Sequence, residues 1–571
     1  MGKEQLSNII KLKIDTLKAE IATDRSNNNT ICNFSQENTS DNPNELMTPP
    51  NYFTSFDKLN TTFRKLNNKK SSSFDKIPNI ALKQLPQQYI TYYTIIFNNC
   101  LNSLYFPQIW KRAKLITIKK KGKEDRDPSS YRPISLPPNI SKVFETIISN
   151  AINNHCFEKK VIPECQFGFR YKHSTVHAST KFTSDIYWVR NAGDCVGVCF
   201  IDPEKAFDTV WLDGLFYKLI KKEFPRHLIK MIWHMLHDKR FVVSEVDNKS
   251  SKSFPIKNGL QQGTVNSLTL FNIFTSDLLH MYRLNDNSNK CAIAFADDLS
   301  IYTNGNKPST IKTDLQQLLN KIQDYFQTWK LKINALKCET ILYRSYISRN
   351  SDASSDVKVH SKHFSLHVTN NPNIKVPHKK IVRYLGINID FKLNYTQHIS
   401  IQLQKTQKAF IIHKRLFYSK DLNKQVKILC YKLLVRPILT YGCQIWYNIS
   451  SSIMDKIRLF ERKCLRACIG KHRSAESDYI KYISNHKLYE EAQIVRIDLF
   501  ILKLIRDHWS KINRITSNSL ISHTLYPNPQ YFTKTRHTGY TPPESFIYMD
   551  EKGLIQNENN VPLIYHINRK P

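Results

Sequence analysis

Cys291-Ala-Ile-Ala-Phe-Ala-Asp-Asp-Leu-Ser-Ile-Tyr-Thr303 is the stretch on which the fold turns. Two apolar, β-prone runs flank Asp297 and Asp298, a pattern that predicts a hairpin with two carboxylates at its tip. Paired carboxylates on a rigid turn suit a hard divalent cation, because Mg²⁺ takes oxygen ligands and binds through few carboxylates plus substrate phosphates. An ordinary turn accounts for the same residues, since Asp side chains bond nearby backbone and tolerate unusual dihedrals. Alone, the stretch favours the ordinary turn. The rest of the chain decides.

Working outward, composition narrows the partner. The 571 residues carry 84 Lys+Arg against 48 Asp+Glu, a formal net charge of +36. Such a surplus calls for a polyanion, and 28 Tyr and 30 Phe available for stacking make nucleic acid the first choice. A membrane surface is the competing polyanion, but no apolar run approaches the ~20 residues needed to span a bilayer. The N-terminus shows no signal-peptide core, and Leu6 stands where a myristoylation motif wants Ser or Thr. The twelve cysteines include no Cys-x-x-Cys pair. Cys195/Cys199 and Cys464/Cys468 lack zinc-site spacing and read as reduced core residues of an intracellular protein, cytoplasmic or nuclear.

Upstream, residues 3–21 read as a short amphipathic helix, and the Asn/Ser/Thr-rich 22–51 as a disordered linker. Ala113–Lys119 is a strand, followed by the basic turn Lys119–Lys123 and a return segment through Tyr131-Arg-Pro-Ile-Ser135. That layout puts Lys119 and Arg132 where they can meet phosphates, one as a point charge and one as a bidentate fork; an exposed basic loop explains them as well. Cys195-Val-Gly-Val-Cys-Phe-Ile-Asp202 is apolar and too short for a helix, so it reads as a buried strand ending on an aspartate. A buried-strand carboxylate is costly unless it is paired or binds a metal; helix capping is the plainer use. Gly259-Leu-Gln-Gln-Gly-Thr-Val-Asn-Ser267 is a glycine-punctuated loop feeding a helix over 268–282.

Downstream, Trp329–Tyr343 reads as strand, lysine turn and strand, and Val382–Asp390 as a second apolar hairpin containing Gly386. Helices are expected over 396–418, 421–435 and 451–469. The last has apolar positions at Ile453, Ile457, Phe460, Cys464, Leu465 and Cys468, and closes on Gly470. Lys456, Arg458, Arg462, Lys463 and Arg466 lie on its other face, which could track a duplex backbone, though membrane-surface helices look similar. Little order is expected beyond about 515.

In this order the motifs resemble the reverse transcriptases of non-LTR retrotransposons of the RTE/Jockey-like type. The matching stretches are Tyr131-Arg-Pro-Ile-Ser, Gln166-Phe-Gly-Phe-Arg with His173-Ser-Thr, Asp202-x-x-Lys-Ala-Phe-Asp208 and Gly259–Ser267. Phe295-Ala-Asp-Asp298, Leu331-Lys-Ile-Asn-x-x-Lys337-Cys-Glu, Tyr384-Leu-Gly386 and Arg436-Pro-Ile-Leu-Thr-Tyr-Gly442 follow. The likeness covers roughly 55–470.

The resemblance implies an α+β right-hand polymerase of fingers, palm and thumb, with a helical C-terminal extension. Its divisions would be 1–54 (helix and linker), 55–100 (leading into the fingers), 101–390 (fingers and palm), 391–515 (thumb and basic extension) and 516–571 (tail). Asp202 and Asp297 would hold two Mg²⁺ ions, or Mn²⁺ in their place, with Asp298 supporting them; metals ~3.5–4 Å apart clamp the attacking and leaving oxygens of an in-line displacement. Phe207 would be the gate against a ribonucleotide 2′-hydroxyl. Gln262 and Gly263 would position template and incoming base, and Lys337 would protonate pyrophosphate. Tyr384, Leu385 and Gly386 would grip the primer. Lys119 and Arg132 fall in the region that contacts triphosphate. The implied partners are an RNA template, a DNA primer and deoxynucleoside triphosphates.

Three departures stand out: Phe295 replaces a frequent Tyr, Leu268 a usual Pro, and Ser71-Ser-Ser-Phe-Asp-Lys a Pro-Gly-Pro-Asp-Gly type pattern. Elements of this kind carry an endonuclease before the polymerase, so the expectation is the polymerase part of an element. The rivals are a decayed copy that only binds nucleic acid, an intron-type maturase, and a membrane-surface protein, which would explain the charge but not the motifs.

Overall fold

A computed structural model describes residues 3–34, 53–120, 122, 124–243, 251–256, 258–280, 290–344, 364–368, 374–447, 449–471 and 483–512. The expected disorder beyond 515 lies outside them. The strands run β1 (Arg112–Lys119), β2 (Tyr131–Leu136), β3 (Cys195–Ile201) and β4 (Arg240–Val243). The short β5 (Phe254–Pro255) precedes β6 (Lys290–Phe295), β7 (Asp298–Gly305) and β8 (Glu339–Tyr343). β9 (Leu366–His367), β10 (Lys375–Val376), β11 (Ile381–Tyr384) and β12 (Ile387–Asp390) close the series. With helices making up most of the rest, the fold is α+β as expected. Among the described residues, no helix is long and apolar enough to cross a membrane.

The chain divides into two compact units. One comprises Met1–Phe169, Asp202–Arg283 and Lys321–Asn334. Its sheet has the order β2-β1-β4-β5, with β1 antiparallel to β2 and parallel to β4. The helix Asn139–Glu158 buries Val143, Phe144, Ile147, Ile148 and Ile152, apolar positions spaced three to four apart. The N-terminal helix, expected over 3–21, runs from Lys3 to Phe34, thirteen residues into the stretch read as a linker. Ile10, Ile14, Leu17 and Ile21 are buried. Glu20 and Asp24 pair with Arg226 and Lys230, the latter 2.7 Å from Asp24. Those ion pairs come from residues two hundred positions away, so the local polar composition could not announce them.

The other unit comprises Arg170–Ile201, Leu284–Asn320 and Ala335–Pro571. Its antiparallel sheet has the order β6-β7-β3-β8. β3 is central and almost wholly buried, which is why its sequence is a continuous apolar run rather than an alternation. Gly197 leaves room for the helix Pro308–Thr328, since a Cβ there would lie 2.3 Å from Ile311 Cγ2. β11 and β12 form the second expected hairpin. The strand read before the lysine turn does not form: Ile333 makes only an isolated bridge to Pro203, and the regular strand starts at Glu339.

Beyond β12 the chain is helical over Thr396–Ile412, Lys414–Tyr418, Lys424–Cys430, Arg436–Thr440 and Ser451–Cys468, with a π-helical turn at Tyr431–Val435. Gly470, at φ 75°, ends the last of these as its sequence position predicted. Two further helices, Asn485–Ala492 and Ile497–Ile512, pack on it.

Candidate active site

The Asp-Asp stretch is a hairpin. Phe295 pairs with Asp298, so the turn itself is Ala296–Asp297 and Asp298 is the first residue of β7. Ala296 sits at φ 58°, a conformation an L-residue adopts at a cost of roughly 1–2 kcal/mol. Strain of this kind gathers where a scaffold must aim a side chain. Asp297 is half-buried and Asp298 exposed.

Register then collects the other candidates at one end of this sheet. Ile201, the last residue of β3, pairs with Leu299, and Asp202 follows directly. Phe200 pairs with Glu339 of β8, and the exposed Lys337 stands two residues before it. Tyr384 also belongs here: its ring centroid is 5.2 Å from that of Phe200 and 5.0 Å from that of Phe182. Burial raises the Tyr384 phenol pKa, with the Asp298 carboxylate adding to the shift.

In the first unit, the glycine loop is built on backbone approach. Gly259 N–H donates to the Val210 carbonyl at 3.1 Å, and Leu260 N–H to that of Phe207 at 2.8 Å. A Cβ at Gly259 would lie 2.4 Å from the Asp208 carbonyl oxygen, and one at Gly263 2.4 Å from that of Ser135. Ser135 N–H donates to the Gln262 carbonyl at 2.7 Å, tying the loop to β2. The half-buried Phe207 packs on Phe271 at 4.6 Å between centroids. These contacts tie the segments carrying Phe207, Gln262 and Gly263 to one another.

Sequence reasoning passed over several residues here. Asp208 hydrogen-bonds Gln262; burial pushes its carboxyl up, opposed by that bond and by Lys205 and Lys120. Its only signal was its place in the Ala-Phe-Asp motif. Glu145, fully buried, accepts from Val265 N–H at 2.9 Å, while its own carbonyl accepts from the Asn266 amide at 3.1 Å. Lys239, 4.0 Å from Glu145, is also buried, and burial lowers its pKa. A lone Glu on an apolar helix gives no sequence signal of this work.

The looser assignments fare unevenly. Arg132 lies on β2 opposite Ile118, but Lys119 is ion-paired with Asp125. Of the five cations on the helix Ser451–Cys468, Arg458 is held by Asp498 at 2.5 Å and Asp455 at 2.9 Å, and Arg466 donates to Asn485 at 3.1 Å. The helices that supply Asp498 and Asn485 cover part of the face read as a nucleic-acid track. Arg436 is buried beside Glu461, 3.6 Å away, which also accepts from Tyr431, Tyr489 and Ile497 N–H.

The chain carries a reverse transcriptase domain of the non-LTR retrotransposon type. Residues 118–389 match the family described as reverse transcriptase (RNA-dependent DNA polymerase), whose members use divalent metal ions. The chain is 31% identical over 420 residues to the RNA-directed DNA polymerase from mobile element jockey of Drosophila melanogaster, covering 72% of this chain and 44% of that one. It is 30% identical over 406 residues to the probable RNA-directed DNA polymerase from transposon BS of the same organism, covering 70% and 43%. The chain therefore spans less than half the length of these relatives. Among solved structures, the apo telomerase of Candida tropicalis aligns with a TM-score of 0.36 at 12% identity, covering 73% of this chain and 68% of that one.

Proposed function

We propose that this chain is an RNA-directed DNA polymerase that extends a DNA primer on an RNA template. The observation that carries the reading is the sheet end at which strand register gathers the β3 terminus leading into Asp202, the Asp297–Asp298 turn and Lys337. The aspartates offer only carboxylate oxygens, the donor type that suits a hard divalent cation. Among the described residues no group of three or more His, Cys, Asp or Glu side chains stands close enough to hold a metal. Two carboxylates completed by substrate phosphates is the usual Mg²⁺ arrangement. Asp202 and Asp297 would hold the ions with Asp298 in support, and the bound ions would stabilise charge on the attacking and leaving oxygens.

The chain's own residues do the rest. The primer 3′-hydroxyl gives up its proton to solvent and attacks the α-phosphate of a deoxynucleoside triphosphate, and the bond to pyrophosphate breaks. Lys337, exposed ahead of β8, gives its proton to the leaving pyrophosphate. Phe207, its ring fixed on Phe271, excludes a sugar with a 2′-hydroxyl. Gln262, held from its backbone by Ser135 and from its side chain by Asp208, positions the templating pair. The Tyr384–Gly386 hairpin seats the primer strand, and the cationic surface binds phosphates.

Primer extension by the purified chain on an RNA template, with Mg²⁺ and separately Mn²⁺, tests the reading. Wild type incorporates deoxynucleotides and Asp297→Ala does not; equal, background incorporation by both overturns it in favour of a chain that only binds nucleic acid. Affinity for the hybrid falls steeply with salt as phosphate contacts release counterions.

A further inference from the structure

We infer that Tyr441 is a positioning residue that sets the tip of the β11–β12 hairpin and, through it, the seat of the primer terminus; the inference rests on reading that hairpin as the primer grip. Tyr384 pairs with Ile387, which leaves Leu385–Gly386 as a two-residue turn. Leu385 is at φ 44° and Gly386 at φ 87°, so both central residues are left-handed. Hairpin turns of this kind favour Asn-Gly, because Asn tolerates positive φ and a branched apolar residue does not. Leu385 therefore holds a conformation its own side chain disfavours, and something outside the turn must hold it there.

Tyr441 supplies that hold. Its hydroxyl donates to the Leu385 carbonyl at 2.9 Å. Two glycines make the approach possible from opposite sides. A Cβ on Gly386 would lie 3.0 Å from Tyr441 Cε1, and a Cβ on Gly442 would lie 2.7 Å from Ile387 Cδ1. Hairpin and thumb segment are thus keyed into one another, each lacking a side chain where the other inserts one. Tyr441 is itself fixed, since its carbonyl accepts from the indole N–H of the fully buried Trp446 at 2.9 Å. Tyr441 stays 39% exposed, so the contact lies at the surface where a primer strand would run rather than in the core. The Thr-Tyr-Gly end of the Arg436–Gly442 motif then has a defined task. It couples the thumb helices to the turn that touches the primer.

The test uses Tyr441→Phe, which removes the hydroxyl and keeps the ring, in the full chain. Two readouts are taken: the Kd for a fluorescent DNA primer–RNA template hybrid at fixed salt, and KM and kcat for single-nucleotide extension. Kd and the primer–template KM rise about fivefold, the worth of one neutral hydrogen bond, while kcat stays within about twofold and the unfolding midpoint falls only slightly. Leu385→Asn, which accepts the left-handed turn unaided, restores affinity when added to Tyr441→Phe. Wild-type binding by Tyr441→Phe, or a double variant as weak as Tyr441→Phe alone, overturns the inference. Leu385→Asp has a similar turn preference but places a charge at the tip, so it weakens binding if the hairpin lies along the primer. Wild-type affinity in Leu385→Asp overturns the primer-grip reading and this inference with it. Weakening there, without weakening in Tyr441→Phe, overturns the inference alone.

Discussion

Replacing Gly263 by Ala probes whether the glycine loop depends on backbone contact with β2. Gly263 sits at φ 108°, and a Cβ there would lie 2.4 Å from the Ser135 carbonyl oxygen and 3.3 Å from Ile134 Cγ2. The first distance is shorter than any stable contact, and the obstacle is backbone, which cannot swing aside as a side-chain tip would. Loop and strand must part, and the 2.7 Å bond from Ser135 N–H to the Gln262 carbonyl goes with them. Positive φ costs an L-residue roughly 1–2 kcal/mol and the lost hydrogen bond about 0.5–1.5 kcal/mol more, so the variant loses about 2–3 kcal/mol. Gly470→Ala is the control. It shares the positive φ, at 75°, but has no neighbour within 4 Å, so only the strain of about 1 kcal/mol applies. Urea unfolding of both variants, compared at equal denaturant slope, gives the two numbers. A Gly263→Ala variant no less stable than Gly470→Ala refutes the reasoning. Incorporation at subsaturating nucleotide falls in Gly263→Ala as Gln262 moves, and is untouched in Gly470→Ala.

Three other outcomes follow from the same contacts. Glu145→Ala leaves the buried Lys239 ammonium without its counter-charge and Val265 N–H without its acceptor, and destabilises the chain by about 3–5 kcal/mol in urea unfolding, with Glu145→Gln recovering part of it; a loss below 1 kcal/mol contradicts the role given to Glu145. His177 and His508 stack at 5.3 Å, and burial, with the neighbouring imidazoles second, pushes them down to about 4 and about 3. Unfolded imidazoles titrate near ~6.5, so between pH 6.5 and those values the unfolded chain binds more protons: stability is intact above pH 6.5 and falls as pH drops through the window. The unfolding midpoint therefore drops from pH 7 to pH 5 in wild type and less so in His177→Gln/His508→Gln; an identical slope in both argues against it. Arg458→Ala, which removes one of the two arginines paired with the buried Asp498, lowers stability more than it lowers affinity for nucleic acid, the opposite of Lys456→Ala at an exposed position; stability and binding measured on the two variants decide it.

The placement of the carboxylates at the sheet end was legible because it is written locally. Apolar runs bracket Asp297, and another apolar run ends at Asp202, so strand periodicity alone sets both carboxylates at strand termini. Gln262 and Phe207 were legible only through motif order, since a glycine loop before a helix is a common local text. What escaped was long-range pairing. Glu145 looks like any helix residue until Val265 and Asn266 are folded against it. The helix to Phe34 was misjudged because its stabilising partners, Arg226 and Lys230, are far along the chain. The basic face of the helix Ser451–Cys468 was overread for the same reason: amphipathic periodicity shows which positions are polar, not that Asp498 will arrive to neutralise Arg458 and Asn485 to hydrogen-bond Arg466.

Gly197 carries a consequence of another kind. It lies midway along β3, opposite Thr303 on one side and Leu342 on the other, and it is where Ile311 and Leu315 of the covering helix press closest. A run as uniform as Cys-Val-Gly-Val-Cys-Phe-Ile has little else to distinguish one alignment from the next, and a slip of one residue turns every side chain to the opposite face. The missing side chain acts as an index notch: the helix seats at that residue and no other, which fixes how far β3 projects and therefore where its terminal aspartate begins. Precision at the carboxylates is set five residues away, by a position with no chemistry of its own.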